Sequence, residues 1–178
     1  MTNQNELTIT RVFDAPRELV WKYWTEPEYF KKWWGPKDFT CPFANIDFKV
    51  GGKYHVAMHG PAGTEFDKDL WSTGVYKEIV PMDPSAPIRA GKIVVTDSFA
   101  DEKGNVVPAT YYGMPGTFPM ETAITITFEQ QDPSVNSGQA KARMTLYYPS
   151  TKGIEGKMLD DMMQGWNQSF DKLAESLK

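Results

Sequence analysis

The sequence predicts a single α+β domain in which an antiparallel sheet packs against a long C-terminal helix. With 178 residues, the chain has the usual length of one domain built on one core, spanning residues 1–178. Several short segments alternate apolar and polar residues between turn signals, which predicts the strands of a meander. Near the C-terminus, apolar residues recur at spacings of four and three from Ile154 to Leu177. That period is typical of a helix with one apolar face, so we expect a helix of about six turns or more.

The N-terminal part predicts one strand followed by two short helices. Residues 7–13 alternate with some irregularity near their end, which indicates a half-buried strand. Asp14 is a good N-cap residue, so a helix is expected over residues 17–24. Pro27 suits the first turn of a second helix, which is predicted to end at Gly35.

The middle of the chain predicts the sheet. Apolar residues alternate from Phe39 to Val50 around a break near Ala44. Gly51 and Gly52 then give a strong hairpin signal, because glycine accepts positive φ without steric cost. Further strands are predicted over residues 54–58, 71–79, 92–99, 121–130 and 140–148.

Residues 100–120 predict an aromatic loop. After a turn, the sequence VVPATYYGMPGTFPM contains prolines and glycines that argue against regular structure. A loop of this length in a compact domain is more often functional or flexible than a plain connection. Its rings and thioethers are costly to leave in water, so we expect it to fold over the domain as a lid.

Charge and composition exclude several classes of partner. The net charge is -4, and 19 basic residues are scattered among 23 acidic ones, so no basic stripe for nucleic acid is present. No apolar run approaches the roughly 20 residues that a membrane span requires, and the N-terminus does not resemble a signal peptide. The single cysteine, Cys41, cannot form an internal disulfide, which agrees with a reducing compartment. We therefore expect a cytoplasmic protein without a membrane or nucleic-acid partner.

The residues that could carry metal or nucleophilic chemistry are few. If His55 and His59 share one strand, they lie roughly 13 Å apart, too far to bind the same ion. The alternation also places both histidines opposite the apolar face of that strand, which argues against a catalytic triad. Gly51-Gly52 lies between two strands rather than before a helix, so it does not predict a phosphate loop. The sequence predicts no metal site, no cofactor and no catalytic residue.

The aromatic and methionine content is the unusual feature of the composition. The 6 Trp, 8 Tyr, 10 Phe and 9 Met can form an ordinary core or line a pocket that repacks around a ligand. Asp97, between Val95 and Phe99 on one strand face, is the best candidate for a pocket carboxyl with a raised pKa, and Glu121 is the next. The candidate ligand-binding residues are Trp34, Phe39, Phe43, Tyr54, Val56, Met58, Trp71, Val75, Val95, Asp97, Phe99, Tyr112, Met114, Met120, Met144, Met158, Met162 and Trp166.

A set of short motifs resembles one known family. The motifs are FDAPRELVWKYWTEPEYFKKWWGP, Gly51-Gly52-Lys53-Tyr54, Gly74-Val75-Tyr76, YYGMPGTFP and Gly165-Trp166. In this order the chain, from about Glu6 to Leu177, resembles the activator of heat shock protein 90 ATPase homologue-like family of the START/Bet v 1-like (SRPBCC) superfamily. The resemblance implies a helix-grip fold, in which a curved sheet grips the terminal helix around a cavity open near the short helices.

The resemblance does not fix one function. Superfamily relatives include lipid and hormone binders, polyketide cyclases and chaperone regulators, and a shared fold does not transfer an activity. We expect binding of a small hydrophobic or amphipathic molecule in the cavity. A cyclase or hydrolase acting on an apolar substrate, with Asp97 or Tyr112 polarising it, and a regulator of a chaperone ATPase stay open as alternatives. A monomer and a homodimer are both compatible with the sequence.

Overall fold

The computed structural model describes residues 5–83, 85, 90–131 and 140–178. These residues form seven strands and three α-helices. In chain order the elements are β1 (Leu7–Phe13), α1 (Arg17–Thr25), α2 (Pro27–Phe30), β2 (Thr40–Ile46), β3 (Lys53–His59), β4 (Asp69–Val80), β5 (Gly91–Ala100), β6 (Thr122–Gln131), β7 (Lys141–Tyr148) and α3 (Lys157–Ser176), with a 3-10 helix at Ala109–Tyr112 between β5 and β6.

The strands form one antiparallel sheet in the order β1-β7-β6-β5-β4-β3-β2. Five of its six strand pairs join consecutive strands, and the sixth places β1 beside β7. The register shifts between Thr40 and Phe43 in β2 and between Tyr76 and Glu78 in β4. Such irregularities increase local bend and twist, and the sheet curls into a half-barrel. The α+β class and the helix-grip arrangement predicted from the sequence are confirmed.

The core lies between the curled sheet and the helices. Trp166, Phe170 and Leu173 are the large apolar residues that α3 buries, while Phe128 and Met144 are fully buried side chains of the sheet. Burying each such side chain contributes about 1.5–3 kcal/mol. The core therefore fixes α3 against the sheet. This packing is possible because the apolar residues of α3 recur with the period of a helix and so share one face.

Helix boundaries differ from the sequence-based expectation in three places. Asp14 does not cap α1, because its carboxylate pairs with Lys141 at 2.9 Å, and the N-cap position is Pro16. The second helix is only four residues long, and turns follow it. The final helix begins at Lys157, so Ile154, which is fully buried, packs from the preceding turn instead.

Two predicted features of the connections also need correction. Of the two hairpin glycines, only Gly51 has positive φ, at 81°. Residues 109–112, expected to lack regular structure, form the 3-10 helix, which ends at Gly113 in the left-handed region.

No helix within the described ranges is both long enough and apolar enough to cross a membrane.

Candidate functional site

A small cavity lies between the inner face of the sheet and the helices. Its volume is about 40 Å³. Nine of its lining residues are buried, while Trp34, Ile46 and Asp97 keep partial accessibility. The lining consists of Trp24, Phe30, Trp34, Ile46, Tyr54, Tyr76, Ile93, Val95, Asp97, Ile124, Ile126 and Trp166.

Strand register explains the apolar wall. Ile93 pairs with Ile126, and Val95 pairs with Ile124, so β5 and β6 present four branched side chains to the same side. Residues directly opposite each other in an antiparallel pair share a face of the sheet. Asp97 follows on that face of β5, two residues after Val95, and is the only carboxyl among the lining residues that the structure describes. The cavity wall is therefore apolar except near one end of β5.

Tyr54 and Asp97 form the polar group of the cavity. The Tyr54 hydroxyl donates a hydrogen bond to Oδ1 of Asp97 across β4. Gly74 is the β4 residue directly opposite Tyr54, and a Cβ placed there would lie only 2.6 Å from Cε1 of the tyrosine ring. A glycine is required at this position because a Cβ would overlap the Thr96 carbonyl oxygen and would also crowd the tyrosine ring.

Burial controls the protonation of this pair. It raises the pKa of Asp97, and the hydrogen bond from Tyr54 opposes this rise only in part. Burial, with the Asp97 charge and hydrogen bond as further causes, raises the pKa of Tyr54 well above its ordinary value. The tyrosine thus stays a phenol and a hydrogen-bond donor, while the carboxyl is held closer to its neutral form than a surface aspartate.

A second polar contact lies beside the cavity. The indole Nε1 of Trp166 donates to the Tyr148 hydroxyl at 3.0 Å, which fixes the ring of Trp166 on the cavity wall. Burial, with the nearby Asp97 charge as a second cause, raises the pKa of Tyr148 well above its ordinary value. Both indole and phenol are therefore used to orient rings, and neither supplies a charge to the cavity.

Lys172 holds the segment that carries Trp34. Its ammonium lies 2.8 Å from the Phe39 carbonyl oxygen, 3.0 Å from that of Gly35, 3.3 Å from that of Trp34 and 3.4 Å from that of Pro36. These carbonyls follow α2 in an irregular segment, outside any helix or strand, and that of Pro36 also accepts from the Phe39 N–H at 3.1 Å. The segment that carries the half-buried ring of Trp34 is thereby held against α3.

Comparison with known proteins identifies the family. The family model described as Activator of Hsp90 ATPase homolog 1-like protein matches residues 14–178 of this chain. The chain belongs to this family. A search of curated proteins finds no match.

Solved structures similar to this family member come from several bacteria. A Chromobacterium violaceum protein shares 22% identity at a TM-score of 0.66, with 98% of each chain covered. A Staphylococcus epidermidis protein shares 23% identity at a TM-score of 0.69, with 99% of this chain and 92% of that chain covered. The AHSA1 protein of Silicibacter pomeroyi shares 19% identity at a TM-score of 0.62, with 97% and 96% covered. At these identities the similarity establishes the fold alone.

Five of the predicted ligand-binding residues border the cavity of this family member. They are Trp34, Tyr54, Val95, Asp97 and Trp166. Val56 and Met144 are fully buried core residues, and Met158 and Met162 lie half-buried on the first half of α3. None of these four is among the lining residues.

Three predicted residues face the opposite side of the sheet, which corrects their assignment to the pocket. Since Gly74 shares the inner face with Tyr54, the neighbouring Val75 points outward. Trp71 also points outward and stacks on His55, with ring centroids 4.7 Å apart. Phe43 completes this outer cluster, 5.3 Å from Trp71. The sequence shows that apolar and polar residues alternate along β4. Which of the two sets faces the inner side of the sheet depends on the pairing of β4 with β3.

The remaining predicted residues lie at the end of the sheet that the 100–120 loop approaches, or near Gly35. The Tyr112 hydroxyl donates a hydrogen bond to the Ala100 carbonyl oxygen at 2.6 Å. The ring of Phe99 contacts that of Phe118, with their centroids 5.1 Å apart. The loop also brings the Thr117 carbonyl against Gly153, before α3. Met114 is half-buried and Met120 is exposed, while Phe39 and Met58 pack beside Gly35. None of these side chains borders the cavity.

Sequence reasoning missed seven lining residues. Their positions are 24, 30, 46, 76, 93, 124 and 126. Ile93 was recoverable, because it lies two residues before Val95 on the same strand face. Ile124, Ile126 and Tyr76 required knowledge of the register, and the bulge after Tyr76 changes the phase of β4.

The histidines show no metal arrangement. Among the described residues, no group of three His, Cys, Asp or Glu side chains is placed to hold an ion. His59 is bound between two carboxylates, with Nδ1 2.7 Å from Asp69 and Nε2 3.2 Å from Asp67. Hydrogen bonds to Asp69 and then Asp67 raise the pKa of His59. His55 is on the same strand but stacks in the outer cluster instead.

Proposed function

We propose that this protein is a cytosolic binding protein that encloses a small, largely apolar molecule between the sheet and α3. The observation that carries this proposal is the composition of the cavity wall. Aromatic and branched aliphatic side chains cover it, and Asp97 with Tyr54 supplies one polar position. Pockets for small molecules have this composition, with a few polar groups that fix orientation.

Family membership supports the proposal in general terms. Binding of hydrophobic ligands is common in this family and its superfamily. Among the described lining residues, Asp97 is the titratable group that could act on a substrate, and no serine, cysteine, histidine or lysine accompanies it. Binding requires nothing beyond the side chains that are present.

The cavity must expand to admit a ligand. Its volume of about 40 Å³ accommodates about one water molecule, whereas pockets for small molecules usually measure about 300–1,000 Å³. Trp34 is the ring best placed to move, because it is half-buried and belongs to an irregular segment. We infer that ligand entry displaces this ring and breaks its contact with Trp166, at 5.5 Å between centroids.

Native mass spectrometry of protein purified from its own host tests the proposal. A stoichiometric apolar passenger, released and identified after denaturation, is the expected result. A panel of one-ring and two-ring aromatic compounds should also raise Tm and change the fluorescence of Trp24, Trp34 and Trp166, which line the cavity. A protein with no passenger and no response to the panel would overturn the proposal.

A matched pair of variants locates the binding. Val95→Ile adds one methylene to the cavity wall, and we expect it to reduce the ligand-induced rise in Tm while the protein stays folded. Val12→Ile makes the same change at a position of β1 that is 47% exposed, and should leave that rise unchanged. Equal effects of the two substitutions would place the ligand outside the cavity.

A further inference from the structure

Asp97 differs from the carboxylates that form ion pairs with basic side chains. Asp171 pairs with Arg11 and Glu78 pairs with Lys92, both near the surface. In the described part of the chain, Asp97 forms no ion pair, and its hydrogen bond comes from Tyr54, which carries no charge. The described residues that line the cavity likewise include no lysine, arginine or histidine. The carboxyl therefore faces the cavity without a cation to balance it.

A carboxylate without a neighbouring cation destabilises the cavity wall in which it lies. Removing an ionised carboxylate from water costs several kcal/mol unless a cation or several hydrogen bonds compensate. An asparagine of the same shape could accept the hydrogen bond from Tyr54 without that cost. The carboxyl has an advantage over the amide when a positive charge binds beside it.

The rest of the wall also suits a positive charge. Trp24, Trp34 and Trp166 line the same cavity, with Trp34 packing edge-on against Trp166 and Trp24 stacking on Trp166 at 6.2 Å. The faces of aromatic rings attract cations, and tryptophan does so most strongly. Tyr54 and Tyr76 add two phenol rings to this wall.

We propose that the ligand is an organic cation, a protonated amine on an apolar body, whose ammonium group pairs with the Asp97 carboxylate among the aromatic rings of the cavity. This inference rests on the proposed function, because it names the chemical class of the molecule that the cavity binds. The Tyr54 hydroxyl stays bonded to the carboxylate and orients it. The apolar body occupies the space against Val95, Ile124 and Ile126.

Binding of such a ligand is coupled to a proton. Burial raises the pKa of Asp97 in the empty cavity, and the arriving ammonium favours the ionised form. Below that raised pKa, binding therefore breaks the O–H bond of the carboxyl and its proton passes to solvent. Tyr54, Tyr76 and Tyr148 stay protonated, because burial raises the pKa of each, and Lys172 of α3 faces the carbonyls of residues 34–39. Affinity for the amine should therefore rise with pH through the titration of Asp97.

Pairs of compounds that differ only in charge test the inference. We would measure binding of 2-phenylethylamine against 2-phenylethanol, and of tryptamine against indole-3-ethanol, by calorimetry and Tm shift at pH 7. The amines should bind at least about 10-fold more tightly than the alcohols. In parallel titrations at lower pH, where Asp97 of the empty cavity is protonated, binding should also release a proton that is visible as a buffer-dependent heat. Asp97→Asn should reduce the affinity for each amine to that for its alcohol.

The controls separate this inference from the function on which it rests. Asp160→Asn removes the same charge from an exposed position of α3 and should keep the preference for amines, which excludes a general effect of the net charge of -4. Alcohols that bind as tightly as the amines, or a preference that survives in Asp97→Asn, would overturn the cationic ligand and leave cavity binding in place. If no member of either pair binds and the aromatic panel also gives no response, both proposals fail.

Discussion

Gly74 of β4 lies directly opposite Tyr54 of β3 and leaves the space through which the tyrosine ring reaches Asp97. A Cβ at this position would overlap the Thr96 carbonyl oxygen, which is backbone and cannot rotate away. We predict that Gly74→Ala lowers the free energy of unfolding by about 1–3 kcal/mol in urea denaturation, the usual cost of overpacking.

Gly165 of α3 provides the matched control. A Cβ there would meet only Cγ of Pro36, at 3.6 Å, an ordinary van der Waals distance. Because alanine is the better helix former, Gly165→Ala should raise stability by up to about 1 kcal/mol. Similar losses at both positions would contradict the argument that the surroundings of Gly74 leave no room for a Cβ.

The hydroxyl of Tyr54 should matter through Asp97. Tyr54→Phe keeps the ring but leaves the partly buried carboxyl of Asp97 without its donor, so we expect a loss of about 1–3 kcal/mol in the free energy of unfolding. In the Asp97→Asn background the same substitution should cost a different amount, which a double-mutant cycle measures as a coupling energy of about 0.5 kcal/mol or more. Additive effects would show that the two side chains do not act together.

The raised pKa of Asp97 predicts a dependence of stability on pH. The native state holds this proton more tightly than the unfolded state, whose carboxyl has a pKa of about 3.9. The stabilisation is complete below that value and is lost as pH rises through the native pKa. Asp97→Asn does not titrate, so its Tm relative to wild type should increase from pH 4 to pH 8. A constant difference across this range would contradict the assignment.

Lys172 is expected to govern both stability and ligand entry. Lys172→Met removes the donor to four carbonyls of the segment after α2, and should cost about 1–3 kcal/mol in the free energy of unfolding. It should also speed the association of aromatic ligands in stopped-flow fluorescence, because Trp34 is less restrained. Lys157→Met, at an exposed position of the same helix, should change stability by less than about 0.5 kcal/mol. Unchanged association in Lys172→Met would exclude the segment as the point of entry.

The sequence carried most of the information about the fold. The period of two in β5 and the stripe along α3 are local properties of the chain, so both elements were predictable within a few residues. The strand phase of β4 was not, because Trp71 and Val75 look as apolar as an inner face should. They lie outside because β4 pairs with β3 so that Gly74, rather than Val75, meets Tyr54.

By itself, the sequence determined the α+β class and the helix-grip family, and it predicted Asp97 as a candidate carboxyl within an apolar strand face. Hydrophobic periodicity and the order of motifs depend on residues that are close together in the sequence, so both can be identified without a structure. Only the tertiary structure decided that Tyr54 is the partner of Asp97, that Ile124 and Ile126 complete the wall, and that packed rings reduce the cavity to about 40 Å³. Those features depend on register and on the interlocking of side chains from distant segments, which no local pattern specifies.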